Sequence, residues 1–199
     1  MNSFCNELTL LPVLACALFP SMTEMKAQQR NVSEDNAYLS PSVPVATGKA
    51  PGMKVQLLGE NCGVKNYAIV LAKGDEVMSG LTDFARQYKV TSASFTAIGA
   101  FSHATVAWFD DNKKEFKLIP IKQQVELVSM IGDIALSGDQ PAVHTHVSVA
   151  SPDGAVRGGH LIEAYVFPTL ELFITVYPQA LHKQLDEATG LKLIDPLSK

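Results

Sequence analysis

A short turn between two apolar segments most constrains the fold of this chain. Residues 151–154 read Ser-Pro-Asp-Gly, and small or β-branched residues dominate on both sides. Proline in the second position and glycine in the last are typical of a type I turn closed by a glycine bulge, which is a three-residue hairpin loop. In this geometry Ser151 pairs with Ala155. Counting five residues outward along each strand then places His146 opposite His160.

This register predicts that three histidines share one face of the hairpin. His144 and His146 are two residues apart, so both side chains project from the same side of their strand. His160 would face His146 at a Cβ separation of about 4.5–5.5 Å and lie diagonal to His144 at about 7–8 Å. A slip of one residue would turn His160 to the opposite face. The prediction therefore depends on the type of turn.

The other residues of the hairpin support this assignment of faces. Small side chains share the face of the histidines, which predicts a shallow hollow; these are Ala142, Ser148, Gly158 and Ala164, beside Ile162. The opposite face has the composition of a core: Val143, Val147, Val149, Leu161 and Tyr165. Gly158 and Gly159 remove side chains beside His160, which permits a close approach of the backbone.

Three converging imidazoles predict a metal site formed by His144, His146 and His160. Neutral nitrogen ligands favour zinc, at about 2.0–2.1 Å from each nitrogen, with nickel, copper or iron(II) as alternatives. Three protein ligands leave a fourth position for water, a small molecule or a residue of another subunit, whereas a purely structural zinc site usually has four protein ligands. The alternative is that the histidines are simply hydrogen-bonded or exposed. We expect His103 and His182 to lie at the surface.

One helix and a series of strands are predicted for the rest of the folded part. Apolar residues recur at spacings of three and four in a single helical segment: Val77, Leu81, Phe84, Ala85 and Tyr88. Asp75 and Glu76 are expected in its first turn, where the helix dipole favours acidic side chains. The remaining apolar runs, bounded by glycine, proline and polar turns, predict an α+β fold. Its mostly antiparallel sheet has about seven to eight strands, with one main helix packed on it.

The two ends of the chain are predicted to lie outside this domain. Residues 8–19 are twelve residues without a charge, which is typical of a signal peptide and too short to span a bilayer as a helix. We expect a signal peptide over residues 1–27, a linker without helix or strand over 28–52, the domain over 53–178 and an extension with a short helix over 179–199. Export to the periplasm or outside is predicted, with a lipid anchor at Cys16 as a variant. A disordered tail on a cytoplasmic protein is the alternative.

Several segments resemble the PPC (plants and prokaryotes conserved) domain family. They are "GDEVMSGLTDFARQYKVTSASFTAIGAFSHATVAWFD", "VSMIGDIAL" and "PAVHTHVSVASPDGAVRGGHLIEAYVFPTLELFITV". The resemblance implies a compact α+β fold, a homotrimer and a metal, usually zinc, held by the "HxH…GGH" histidines. In this chain those residues are His144, His146 and His160.

The charge pattern disfavours nucleic acid as a partner. Plant relatives pair the domain with AT-hook segments, and this sequence has no Arg-Gly-Arg core flanked by basic residues. The formal net charge is −4, whereas proteins that bind duplex DNA normally carry a basic face. The leading hypothesis is a trimeric metal-binding protein of undetermined activity. A DNA-binding or regulatory protein and an interaction module that the metal only stabilises are the alternatives.

The sequence predicts no catalytic residue beside the metal. Glu163 and Arg157 fall on the face opposite the histidines, and Glu171 and Asp133 lie in other strands. The three cysteines have neither metal-binding spacing nor the pattern of a disulfide framework.

Overall fold

The computed structural model describes residues 37–43, 45 and 48–198, which all lie in one compact unit that spans residues 31–199. This part contains ten strands and one helix, in the order β1 Tyr38–Leu39, β2 Lys54–Asn61, β3 Val64–Ala72, α1 Val77–Gln87, β4 Ser92–Asp110, β5 Glu115–Ile121, β6 Val125–Ser137, β7 Gln140–Ala150, β8 Val156–Val176, β9 His182–Asp186 and β10 Leu191–Asp195. No helix of the described part is long and apolar enough to cross a membrane. The predicted signal peptide falls outside the described residues.

The strands form one sheet, in the order β1-β5-β4-β6-β7-β8-β3-β2. Every pairing along this order is antiparallel, and β8 also pairs with β4. The pairings of β4, β6, β7 and β8 therefore make a closed ring. The predicted class, a mostly antiparallel α+β fold with one helix, is confirmed, but the described residues form ten strands rather than the predicted seven to eight.

Two strands run through a glycine or a proline, residue types that often mark the end of a strand. Strand β4 continues through Gly99 with a shift in register, so Gly99 lies in a bulge. In the same way β8 runs through Pro168 as one strand of 21 residues. A bulge inserts a residue without ending a strand, and a sequence pattern alone does not distinguish it from a turn.

The single helix packs its predicted apolar face against the sheet. Val77, Leu81, Phe84 and Ala85 are buried. Glu76, however, precedes the first turn as the N-cap, and its carboxylate accepts hydrogen bonds from the backbone N–H groups of residues 78 and 79 at 3.0 and 2.7 Å. The expectation that Asp75 and Glu76 lie within the first turn is therefore wrong by one residue or more. The Glu76 carboxylate thus satisfies free backbone donors at this helix end, whereas the Asp75 carboxylate accepts hydrogen bonds from the N–H groups of Gly52 and Ala72.

The C-terminal extension is a β-hairpin, so the predicted short helix over this segment is wrong. Strands β9 and β10 pair in register from Asp186 opposite Leu191 to His182 opposite Asp195. The turn between them ends at Gly190, whose φ of +74° suits glycine. Lys183 is the buried residue of β9.

A short strand also occurs inside the segment predicted as a linker. Tyr38 and Leu39 of β1 pair with Lys117 and Phe116 of β5. Leu39 packs with Phe116 beside a small buried cluster formed by Ala107, Leu118 and Ile162. Two residues give too little periodicity to predict a strand from the sequence. Strand β1 forms because its residues pack against the rest of the fold.

Candidate metal centre

The hairpin turn has the hydrogen bonds that the sequence predicted. Ser151 donates its N–H to Ala155 O at 2.9 Å, and Gly154 donates to Ser151 O at 2.8 Å. Gly154 has a φ of +79°, the left-handed conformation that the closing position of this loop requires. In the resulting register His146 lies opposite His160. The predicted placement of the two residues is confirmed.

The three histidines meet on one face of the sheet. One nitrogen from each of His144, His146 and His160 lies within 4.8 Å of the corresponding atom of the other two. The ring centroids are 5.2 Å apart for residues 144 and 146, 5.2 Å for 144 and 160, and 5.5 Å for 146 and 160. Nitrogens that bind one tetrahedral zinc ion at about 2.0–2.1 Å lie about 3.4 Å apart. All three could bind a single ion after an inward rotation of the rings that brings these nitrogens closer together by about 1 Å.

Close backbone packing holds the strands around this face. A Cβ atom on Gly158 would collide with the carbonyl oxygen of Val147, and one on Gly159 would lie 2.5 Å from the carbonyl oxygen of Ala107. On the other side of the hairpin, Val147, Val149 and Leu161 are buried in the main core. The two glycines therefore allow the approach of β4, β7 and β8 that fixes the backbone of His160.

A carboxylate from the neighbouring strand contacts the cluster. Asp133 lies opposite His144 in the pairing of β6 with β7, and its Oδ2 is 3.2 Å from His144 Nδ1. Its second oxygen, Oδ1, is 2.9 Å from the ammonium of Lys183. Burial acts to raise the pKa of Asp133, but the hydrogen bonds and charges of His144 and Lys183 outweigh it and hold that pKa below its ordinary value. Asp133 is therefore an anion that accepts the Nδ1 proton of His144.

The other two histidines are neutral at ordinary pH. Burial lowers the pKa of His160 to about 4, with further contributions from the charges of His144, His146 and Lys183. Burial and the charge of His144 also lower the pKa of His146. A neutral imidazole has a free lone pair, whereas its protonated form does not. The environment thus keeps these rings in the form that binds metal.

An aromatic ring fixes the orientation of His160. Phe116 of β5 stacks on the imidazole with centroids 4.8 Å apart and ring planes 14° from parallel. His146 is exposed, and the side chain of His144 is 43% exposed. The cluster is therefore packed on one side and open to solvent on the other.

The other histidines and charged residues that the sequence singled out make contacts outside the three-histidine cluster. His103 stacks on Tyr165 with centroids 4.6 Å apart, and His182 begins β9 opposite Leu136. Glu163 accepts a hydrogen bond from Thr105 at 3.0 Å. Arg157 is exposed in β8 opposite Val149. Sequence reasoning did not assign Asp133 or Lys183 to the site, although a usable signal existed for the first of them.

That signal is a second turn. Gly138 and Asp139 form a two-residue loop in which Ser137 pairs with Gln140, and glycine in the first position is typical of a type II′ hairpin. Counting outward from this loop places Asp133 opposite His144, by the same arithmetic that paired His146 with His160.

Together, the closed antiparallel ring and the open three-histidine face define a small α+β domain with a histidine group that could hold a metal ion. Residues 59–178 match the Plants and Prokaryotes Conserved (PCC) domain. The chain belongs to this family, as the resemblance of its motifs implied.

Similar solved structures extend over most of the chain. A plant- and prokaryote-conserved protein from Pyrococcus horikoshii is 30% identical, with a TM-score of 0.63 and coverage of 73% of this chain and 97% of that one. A candidate DNA-binding protein from Ralstonia eutropha is 34% identical, with a TM-score of 0.62 and coverage of 65% and 90%. A metal-containing protein from Archaeoglobus fulgidus is 28% identical, with a TM-score of 0.62 and coverage of 72% and 97%.

The curated relatives are much longer proteins. The chain is 27% identical over 130 residues to the bifunctional protein GlmU of a Synechococcus strain, and it spans 19% of that protein's length.

Proposed function

We propose that this chain is a metal-binding PCC-domain protein in which His144, His146 and His160 hold one zinc ion. The single observation that carries the proposal is the convergence of three imidazole nitrogens within 4.8 Å of one another. Neutral nitrogens are suitable ligands for zinc, and the metal-containing relative from Archaeoglobus fulgidus has the same fold. Elemental analysis of the purified protein tests it, with about one zinc ion per chain expected and a ratio near zero contradicting it.

The fourth coordination position would be open. Three protein ligands and an exposed face leave room for water, a small molecule or a residue of another subunit. Zinc bound there would supply a Lewis acid and lower the pKa of a bound water. The residues of this chain bind and orient the ion: Asp133 accepts the proton of one ligand ring, and Phe116 stacks on another.

We propose further that the working form is a homotrimer. Large apolar side chains are exposed on the face that carries the histidines, where Ile131 and Phe173 both neighbour Thr96 on β4 and are 63% and 58% exposed. Ile131 is also the partner of His146 across β6 and β7. Exposed apolar patches of this kind mark sites of protein association. Sedimentation equilibrium tests the assembly, because a trimer has three times the mass of the chain.

Binding of DNA is the second candidate function. The candidate DNA-binding protein from Ralstonia eutropha supports it, whereas the net charge of −4 opposes it. A gel-shift titration with duplex DNA at two salt concentrations tests it, because contacts with phosphate weaken steeply as salt rises.

Export of the chain is a separate proposal that residues 8–19 support by their composition. Fractionation of the source cells tests it. A shortened product outside the cytoplasm is expected, and a full-length cytoplasmic product contradicts it.

A further inference from the structure

A buried lysine of the C-terminal hairpin reaches the surroundings of the histidine cluster. The hairpin begins at His182, beyond the residues 59–178 that match the family. The side chain of Lys183 is only 6% exposed, and its Nζ lies 2.9 Å from Asp133 Oδ1. The other oxygen of the same carboxylate lies 3.2 Å from His144 Nδ1. One carboxylate thus connects the extension to a ring of the cluster.

We propose that Lys183 is a positioning residue of the metal centre. It holds the Asp133 carboxylate in the orientation that accepts the Nδ1 proton of His144. The remaining nitrogen of that ring, Nε2, is then the atom with a free lone pair for the ion. This inference rests on the proposed function, but its effect on the proton position of His144 exists without metal.

The backbone fixes the lysine in this place. Leu136 donates its N–H to Leu181 O at 2.8 Å, and Leu181 donates to Thr91 O at 3.2 Å. His182 pairs in parallel with Leu136 at the end of β6. Because these bonds anchor β9 just before Lys183, its side chain enters from a rigid strand rather than from a free tail.

Burial lets the ion pair between Lys183 and Asp133 orient the carboxylate. A buried ammonium is costly unless a charge and hydrogen bonds compensate it, so Lys183 has a strong preference for the one carboxylate it contacts. That contact is an ion pair at Oδ1, an oxygen that is buried and accepts no hydrogen bond of good geometry among the described residues, whereas Oδ2 faces His144. A carboxylate that accepts the second nitrogen of a metal-binding histidine fixes the ring's tautomer and raises the basicity of the ligand atom.

The test compares two lysines of the same hairpin. Lys183→Met removes the ammonium and keeps an unbranched apolar chain. Lys192→Met is the matched control, because it removes the same charge from β10, where Nζ contacts Ser137 Oγ at 3.0 Å. In metal-free protein, long-range ¹H–¹⁵N correlation spectra report which nitrogen of His144 carries the proton. The Nδ1–H form is expected in the wild type and in K192M, and a mixture of both tautomers in K183M.

A second measurement uses zinc itself. K183M is expected to lower the zinc affinity by about tenfold, which is the low end for partners of metal ligands. In an Asp133→Asn background the same lysine substitution should change the affinity by less than twofold, because the lysine acts through that carboxylate. K183R, which keeps the charge, should restore the Nδ1–H form. Amide protection of β9 verifies that the hairpin is still in place.

The outcomes separate the two proposals. If wild-type protein binds no zinc, the proposed function fails, and the tautomer of His144 in K183M still decides the role of the lysine. If wild-type protein binds zinc while K183M retains the wild-type tautomer and affinity, the positioning role is overturned. A loss of thermal stability with an unchanged tautomer also overturns it, because that is the result of a merely structural ion pair.

Discussion

His146 and His160 lie directly opposite each other on β7 and β8, five residue pairs outward from the Ser151–Ala155 pair that closes the turn. Their position follows from the loop length, since each pair of an antiparallel ladder fixes the next. His144 joins them because it is two residues from His146 on the same strand. The candidate centre is thus a property of one hairpin, and the neighbouring strands add its partners.

Removal of one ligand should abolish zinc binding without unfolding the domain. His146→Ala removes an exposed ring, so we expect less than 0.1 zinc ion per chain and a change in unfolding free energy of the metal-free protein below about 1 kcal/mol. Competition with a chromophoric chelator measures the affinity. His103→Ala is the control, because that exposed ring stacks on Tyr165 away from the cluster. Equal affinity of H146A and the wild type would exclude His146 as a ligand.

Charge on the apolar face should dissociate the proposed trimer. The double variant Ile131→Glu/Phe173→Glu places two carboxylates among side chains that a partner chain would bury, which is unfavourable. Sedimentation equilibrium is expected to give the mass of a single chain. Leu193→Glu, which alters an apolar residue of β10 that is 46% exposed, should leave the assembly intact. A trimeric I131E/F173E protein would show that another surface forms the interface.

Substitution of the last turn residue should destabilise the hairpin. Gly154 has a φ of +79°, and alanine in the left-handed region costs about 1–2 kcal/mol. Urea unfolding should therefore give a lower midpoint for Gly154→Ala with an unchanged m-value. Gly59→Ala is the matched control, because its Cβ would meet no atom within 4 Å. If G154A were as stable as G59A, the turn would not require its glycine.

The metal-free protein should become less stable as the pH is lowered from 6.5 to 4. The pKa of His160 is about 4 in the folded protein, against about 6.5 for an unperturbed histidine. As pH falls below 6.5 the unfolded chain takes up a proton that the folded chain does not, so stability declines between pH 6.5 and 4. The maximum loss from this residue is about 3 kcal/mol.

Urea unfolding at several pH values measures this slope. His160→Gln should reduce the slope to the part that the lowered pKa of His146 contributes, whereas His103→Gln should leave the slope unchanged. The pKa of Asp133 is held below its ordinary value of 3.8, so its own loss of stability has the same sign and falls mainly below this window. A wild-type protein with no loss of stability between pH 6.5 and 4 would contradict a neutral, buried His160.

The parts of the fold that follow from local rules were predictable from the sequence. The helix was predictable because its apolar residues recur at helical spacing, and the facing histidines because a glycine-closed turn sets a register. The contact between His144 and Asp133 obeys the same kind of rule at Gly138 and was missed because that second turn was not counted.

Other parts depend on packing between distant segments. Lys183 reaches Asp133 because β9 aligns with the end of β6, a contact between residues 50 positions apart in the chain. Its segment has helix-forming residues, and only the pairing with β6 and β10 makes it a strand. The continuity of β4 through Gly99 likewise depends on its neighbours, since β6 and β8 pair with it on both sides of the bulge.

The central claim is that three imidazoles of one hairpin bind one ion. A crystal of the wild-type protein grown with equimolar zinc, measured on both sides of the zinc absorption edge, tests it most directly. The account predicts one anomalous peak per chain, about 2.0–2.1 Å from a nitrogen of each of His144, His146 and His160. No peak at this position, or a peak bound by other residues, would contradict it.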